Sequence, residues 1–140
     1  MNKEELHKHL QARDIKPTAM RQLVLQVMSE QQAAISLPDL EVLFERADKV
    51  TLYRTLKTFE ENKLIHRIDD GTGTTKYALC RDTCDCEPDD LHVHFLCVKC
   101  EQTFCLNDIS VPSINLPARF SLESVNMVVK GVCANCRRDY

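Results

Sequence analysis

Several features that would point to other classes of protein are missing from this sequence. No apolar run approaches the ~20 residues that cross a bilayer, so no membrane span is expected. The opening MNKEELHKHL is charged and has no apolar core. It does not read as a secretory signal, and a cytoplasmic location is expected. Three glycines and five prolines in 140 residues leave little room for low-complexity sequence, and no internal repeat is visible. The net charge of −3 argues against a blanket nucleic-acid binder. Zinc-enzyme signatures are missing too. There is no H-E-x-x-H, His92 is followed by Val93 and His94 rather than by an H-x-E pattern, and no proline precedes Cys97 or Cys133 as a deaminase requires. An enzyme with a small organic substrate is therefore not expected.

What is present is an ordinary globular balance, 44% hydrophobic and 28% charged, sized for one compact domain or two small ones. The charge is uneven. Residues 1–81 carry 13 Lys/Arg against 12 Asp/Glu, and residues 82–140 carry 5 against 9. Cysteine is also uneven: of eight, all but Cys80 lie from Cys84 onward. Disulfides are rare in the cytosol, so metal ligation is the leading explanation for so many thiols.

The first 62 residues read as helices. Leu6 and Leu10 mark a short one. Met20, Leu23, Val24, Val27 and Met28 form the i, i+3, i+4, i+7, i+8 stripe of a second, with Thr18 as its N-cap. Ser36 and Asp39 suggest a capping box opening a third, striped by Leu40, Leu43, Phe44 and Ala47, and Asp48 caps a fourth buried through Leu52, Leu56 and Phe59. LIHRI and TKYALC, joined by DDGTGT, then read as a hairpin. Helices followed by a hairpin predict an α+β protein that begins with a winged helix-turn-helix over residues 1–80, its fourth helix entering the DNA major groove. Residues 81–91, acidic and containing Pro88, read as a linker or hinge. Residues 92–140 read as a small α/β domain. HVHFLC, QTFCL and SLESVNMVVKGVC look like its strands, and it is too short to bury much without a metal staple or a dimer partner.

Cys97-Val-Lys-Cys100 and Cys133-Ala-Asn-Cys136 are two C-x-x-C pairs separated by 32 residues. Two such turns complete a tetrahedral four-sulfur shell suited to structural zinc. The competing reading, a thioredoxin-like redox pair, wants a βαβ context that is not visible. A second constellation is less specific. His92 and His94 alternate onto one face of a strand while Cys97 points to the other. His66 lies on the first wing strand and Cys80 ends the second. Three imidazoles and a thiolate would again suit zinc, with Cys105 as a substitute or fifth ligand. Against this, an H-x-H pair is often a polar solvent face, and Cys80 alone reads first as a small core hydrophobe. Cys84 and Cys86 read as extra ligands, a redox pair, or inert residues.

KPTAMR, VTLYRTLKTFEENKLIHRI, HVHFLCVKC and the closing GVCANC resemble the ferric-uptake-regulator superfamily over nearly the whole chain. The resemblance implies a metal-sensing dimeric repressor, with Cys97, Cys100, Cys133 and Cys136 as structural zinc ligands and His92 and His94 in the sensory site. Where iron and peroxide sensors have a histidine after the second helix, Ala33 and Ala34 stand. Ala78 occupies the position of a sensory glutamate, and Leu91, Val93 and Val125 replace a further ligand set. What remains resembles the zinc-uptake-regulator branch, whose shell of Asp, Cys and two histidines maps to His66, Cys80, His92 and His94. Two departures stand out: a longer linker containing Cys84 and Cys86, and Pro112 and Pro117 where the family has a dimerisation helix.

The implied function is a zinc-responsive repressor of metal-uptake genes, holding a structural Zn2+ and a second, regulatory Zn2+ per chain, that binds pseudo-palindromic double-stranded operator DNA as a homodimer. Iron-, manganese- or peroxide-responsive regulation and thiol redox sensing are the alternatives. Arg54 and Tyr53 are the base-edge or sugar candidates, with Thr51 and Thr55 beside them. Lys16, Arg21, Lys57 and Lys76 are phosphate candidates. The bland alternative for each is a solvated helix face.

Overall fold

The helices form where local sequence caps and stripes them. In the computed structural model, which describes residues 1–79, 92–123 and 125–139, α1 spans Lys3–Ala12, α2 Ala19–Glu30, α3 Leu37–Leu43 and α4 Lys49–Glu61. Thr18 caps α2, Asp48 caps α4, and Ser36 with Asp39 closes a reciprocal capping box on α3. A second capping box, Asn2 with Glu5, opens α1. With so few glycines, α1 and α4 end on Asp14 and Lys63 in the left-handed region, at φ of 57° and 60°. Each of those ends is closed by a return bond: Ile15 N–H to the Leu10 carbonyl, and Leu64 N–H to the Phe59 carbonyl. Helix α3 is shorter than its stripe suggests. Phe44 is already its C-cap and Leu43 is exposed, so only Leu40 of that stripe is fully buried.

Strands β1 (Ile35–Ser36), β2 (Ile65–Ile68) and β3 (Lys76–Leu79) form an antiparallel sheet in the order β1-β3-β2, with His66 opposite Ala78. Its turn carries Gly71 and Gly73 at φ of 86° and 87°, a region that glycine enters without steric cost. One apolar core joins this sheet to the helices. Leu10, Val24, Leu25, Leu40, Leu52, Leu56, Phe59 and Ile65 are essentially fully buried in it.

The second sheet comprises β4 (His92–Cys97), β5 (Thr103–Ser110) and β6 (Val128–Gly131) in the order β5-β4-β6, with β4 antiparallel to β5 and parallel to β6. It buries little: Val93 and Leu96 are its fully buried aliphatic side chains. The alternation from Ser121 predicts a long strand, but among the described residues only Val128–Gly131 forms ladder pairs, with the His94 N–H reaching one residue further to the Met127 carbonyl at 3.0 Å. Among the described residues the only helical turn of this unit is the 3-10 turn Cys136–Asp139. That turn supplies the helical part of the mixed helix and strand content expected of the unit. Residues 111–120, broken by Pro112 and Pro117, are irregular and mostly exposed.

Candidate metal centres

Parallel pairing explains how two C-x-x-C turns so far apart in sequence meet. Cys97 ends β4 opposite Gly131 of β6, and the Val98 N–H donates to the Gly131 carbonyl at 2.8 Å. The two knuckles, 97–100 and 133–136, therefore leave adjacent strands side by side. The sulfurs of Cys97, Cys100, Cys133 and Cys136 all lie within 4.8 Å of one another, with Cys100 Sγ and Cys133 Sγ 3.9 Å apart. A tetrahedron with Zn–S bonds of ~2.3 Å has an edge of about 3.8 Å, so the spacing fits the ion the chemistry suggests. The Cys100 N–H points at the Cys97 sulfur at 3.5 Å. This bond, against the opposing effect of burial and with help from the Cys133 N–H at 3.4 Å, brings the Cys97 thiol down to about 6. Hydrogen bonding to Cys133, together with burial, pushes the Cys136 thiol up to about 12. One sulfur ionises readily and another resists while its neighbours crowd it, which suits a cluster whose full ionisation awaits a cation.

A second cluster lies between the two sheets. His66 on β2, His94 on β4 and Cys105 on β5 bring one ligand atom each within 4.8 Å of the others. The imidazole Nε2 atoms are 3.4 Å apart, with the rings tilted by 32°. Two Zn–N bonds of ~2.0–2.1 Å subtend about 3.3 Å in a tetrahedron, so this pair also fits. His94 is buried, and Cys105 stands directly opposite it in the β4–β5 ladder. The fourth strand-borne candidate, His92, lies across a break. His92 pairs with Ser110 while Val93 pairs with Leu106, so simple alternation does not carry from His94 to His92. The His92 side chain, Cys80, Cys84, Cys86 and the 81–91 linker lie outside the described residues.

The exposed face of α4 presents Thr51, Tyr53, Arg54 and Lys57. Thr55 does not join them. It is buried, and its hydroxyl donates to the Thr51 carbonyl at 2.9 Å. The spacing of Leu52, Leu56 and Phe59 already marks position 55 as part of the same i, i+3, i+4, i+7 face. Lys16 is exposed near the start of α2, where its carbonyl accepts from Arg21 Nη1 at 2.9 Å. Lys76, expected on phosphate, is turned inward instead. Its side chain is 12% exposed, and its ammonium lies 2.8 Å from the Asp70 carboxylate and 2.8 Å from the Glu101 carbonyl. Sequence reasoning missed Asp70 and Thr103, which share this contact; a turn aspartate and a strand threonine carry no short-range signal of it.

The sequence model of the ferric uptake regulator family matches residues 12–130. This chain belongs to the ferric uptake regulator family. Membership makes it a metal-responsive transcription regulator rather than an enzyme. A ferric uptake regulation protein of Bordetella parapertussis is 29% identical over 92 residues, which cover 63% of this chain and 61% of that protein. A ferric uptake regulation protein of Bacillus subtilis is 24% identical over 95% of this chain and 93% of its own length. Among solved structures, a zinc uptake regulator complexed with zinc and DNA superposes with a TM-score of 0.67 at 22% identity, covering 97% of this chain and 93% of that one. The family's fold is thus shared by iron- and zinc-named members, and the metal must be argued from the ligands.

Proposed function

We propose that this chain is a zinc-responsive, DNA-binding repressor of metal-uptake genes that works in the cytoplasm as a homodimer. In this reading residues 1–80 read DNA, residues 81–91 are the hinge, and residues 92–140 pair the chains and carry the metals. The observation that carries it is the second cluster. His66 belongs to the wing, His94 and Cys105 to the other sheet, and their ligand atoms converge. Among the described residues the shell is two imidazoles and a thiolate, a nitrogen–sulfur set that suits zinc better than harder ions such as manganese. Cys80 and His92 are the candidates to complete the shell. Zinc bound there supplies a cross-link between the two sheets.

The chain's own residues do the rest. The rigid contact of α4 with the wing sheet, through Phe59 and Ile65 in one core, means that fixing the wing also fixes the recognition helix. Tyr53 and Arg54 then face base edges or sugars, and Lys16, Arg21 and Lys57 face phosphates of a pseudo-palindromic duplex. By linkage, whatever metal binding adds to operator affinity, the operator adds to metal affinity; a coupling of about 1–3 kcal/mol suffices for a switch. The four-cysteine cluster fits a structural Zn2+ that staples a sheet with few buried aliphatic side chains. Exposed Ile109, Ile114, Phe120 and Leu122 in that unit support a partner copy.

A titration with several metals tests the zinc assignment. Operator binding of protein carrying only its structural metal is followed while free zinc, iron(II) or manganese is raised under buffered conditions. Zinc should activate at the lowest free concentration. Activation by iron(II) or manganese but not zinc would assign the chain to another branch of the family.

A further inference from the structure

Beside the His66–His94–Cys105 cluster, the wing is joined to the second sheet by contacts that contain no metal ligand. Asp70 sits in the wing turn, yet its side chain is wholly buried. Its Oδ2 accepts from Lys76 Nζ at 2.8 Å and from the Thr103 hydroxyl at 2.5 Å, and its Oδ1 accepts from the N–H and hydroxyl of Thr72. The Lys76 ammonium has three hydrogens and three acceptors: Asp70, the Thr103 hydroxyl at 3.1 Å and the Glu101 carbonyl at 2.8 Å. The Thr103 carbonyl in turn accepts the Ala34 N–H at 2.7 Å, and Asn126 Nδ2 donates to the Asp69 carbonyl at 2.9 Å.

Three features give this network a function beyond packing. Every charged member has its partners, the condition under which a buried polar network specifies one geometry rather than several. It spans the same two sheets as the metal ligands, and Thr103 shares its face of β5 with Cys105 two residues on, about 7 Å away along the strand. Finally, the wing turn over residues 69–75 holds no lysine or arginine, and Lys76 at its end is committed inward, so this wing is built to meet the second sheet rather than phosphate.

We propose that Asp70, Lys76 and Thr103 form a metal-independent clasp that docks the wing and so presents His66 to His94 and Cys105, making them positioning residues for the regulatory metal. The inference rests on reading that cluster as the regulatory site. An ion that bridges two units binds with an apparent affinity reduced by the fraction of molecules in which the units are docked. The clasp keeps the wing against the second sheet, and the angle at which α4 meets DNA is set only when the metal closes on His66. Opening the clasp so that the docked fraction falls from about nine-tenths to about one-tenth weakens metal binding roughly tenfold.

The test uses full-length protein carrying its structural zinc. Thr103→Val removes the hydroxyl at nearly constant volume, Thr103→Ser restores it, and the pair Asp70→Asn with Lys76→Gln replaces the charges by amides; none touches a ligand. Hydrogen exchange of the Ala34 amide reports docking, and competition with a chromophoric chelator reports affinity for the second zinc. The expected result is an Ala34 amide protected before the second zinc is added, with Thr103→Val losing that protection and binding the second zinc about tenfold more weakly, the structural zinc retained, and Thr103→Ser behaving as wild type. Unchanged Ala34 exchange, or second-zinc affinity within twofold of wild type in both Thr103→Val and the paired amide variant, overturns the clasp. A wild-type protein that takes up one zinc per chain, or a second zinc whose affinity ignores His94→Ala, overturns the site assignment itself and the inference with it.

Discussion

Replacing Cys97 with serine should unfold the second sheet and leave the helical unit standing. Cys97 is fully buried, ends β4, and accepts the N–H groups of Cys100 and Cys133, so both knuckles are organised around its sulfur. The magnitudes decide the outcome. Fully burying an aliphatic side chain contributes about 1.5–3 kcal/mol, and this sheet fully buries two, Val93 and Leu96. A structural zinc contributes an apparent ~10–16 kcal/mol at neutral pH, all of it folding free energy where the site does not pre-exist in the unfolded chain. The staple thus outweighs the apolar burial by roughly 1.7- to 5-fold, and a serine hydroxyl is a poor replacement for a thiolate ligand. The helical unit keeps its own core, from Leu6 to Tyr77, with no member drawn from the second sheet. The assay is far-UV circular dichroism during heating, with zinc content measured on the same samples. The expected variant shows a helical transition, no cooperative loss of the second unit, and fewer zinc ions per chain. A Cys97→Ser protein that keeps full zinc and melts as wild type does would show that the second sheet does not depend on the four-sulfur staple.

Other consequences follow from where individual charges sit. Lys57→Ala should lower the salt dependence of operator binding by about one counterion's worth. Lys76→Ala should leave that slope unchanged, because its ammonium is held by Asp70; measuring the slopes of log K against log salt for both variants separates the two roles. Arg54→Ala should cost about 1–3 kcal/mol and relax specificity if it reads a base edge, as a competition assay with altered operators would reveal; a uniform loss across sequences would make it a phosphate contact. For Asp70, burial raises the carboxyl but the bonds from Lys76, Thr103 and Thr72 outweigh it, and its folded pKa falls below the ordinary 3.8. A depressed carboxylate contributes stability that is fully present above the unfolded value and lost as pH falls toward the folded one. The stability difference between wild type and Asp70→Asn should therefore hold steady from pH 8 to about 5 and shrink below about 4. A difference that instead grows on acidification in denaturant melts would contradict the assignment.

What was legible in the sequence was local. Thr18, Ser36 with Asp39, and Asp48 announce helix starts because a cap needs only its own first turn, and the Leu52–Leu56–Phe59 stripe fixes the buried face of α4. That stripe also holds Thr55, which chemistry alone made look like a DNA contact. The four-cysteine cluster was legible because C-x-x-C brings two ligands together within a single turn. The parallel β4–β6 pairing that joins its halves was not, since it depends on contacts more than thirty residues apart. For the same reason the alternation over residues 121–123 and 125–127 did not become strand. Lys76 illustrates the limit most plainly: a lysine at the end of a wing reads as a phosphate contact until Thr103, twenty-seven residues on, is seen beside it. Cys105 gained weight in the same way, through its place opposite His94 in the β4–β5 ladder.

If His66, His94 and Cys105 hold the metal that governs operator binding, losing His94 alone abolishes the response to zinc. Operator affinity is measured against buffered free zinc for wild type and for His94→Ala, each with its structural zinc in place. Wild-type affinity is expected to rise about 5- to 150-fold with zinc, while the variant stays folded and dimeric yet does not respond. A variant whose operator affinity rises with zinc as the wild type's does would contradict it.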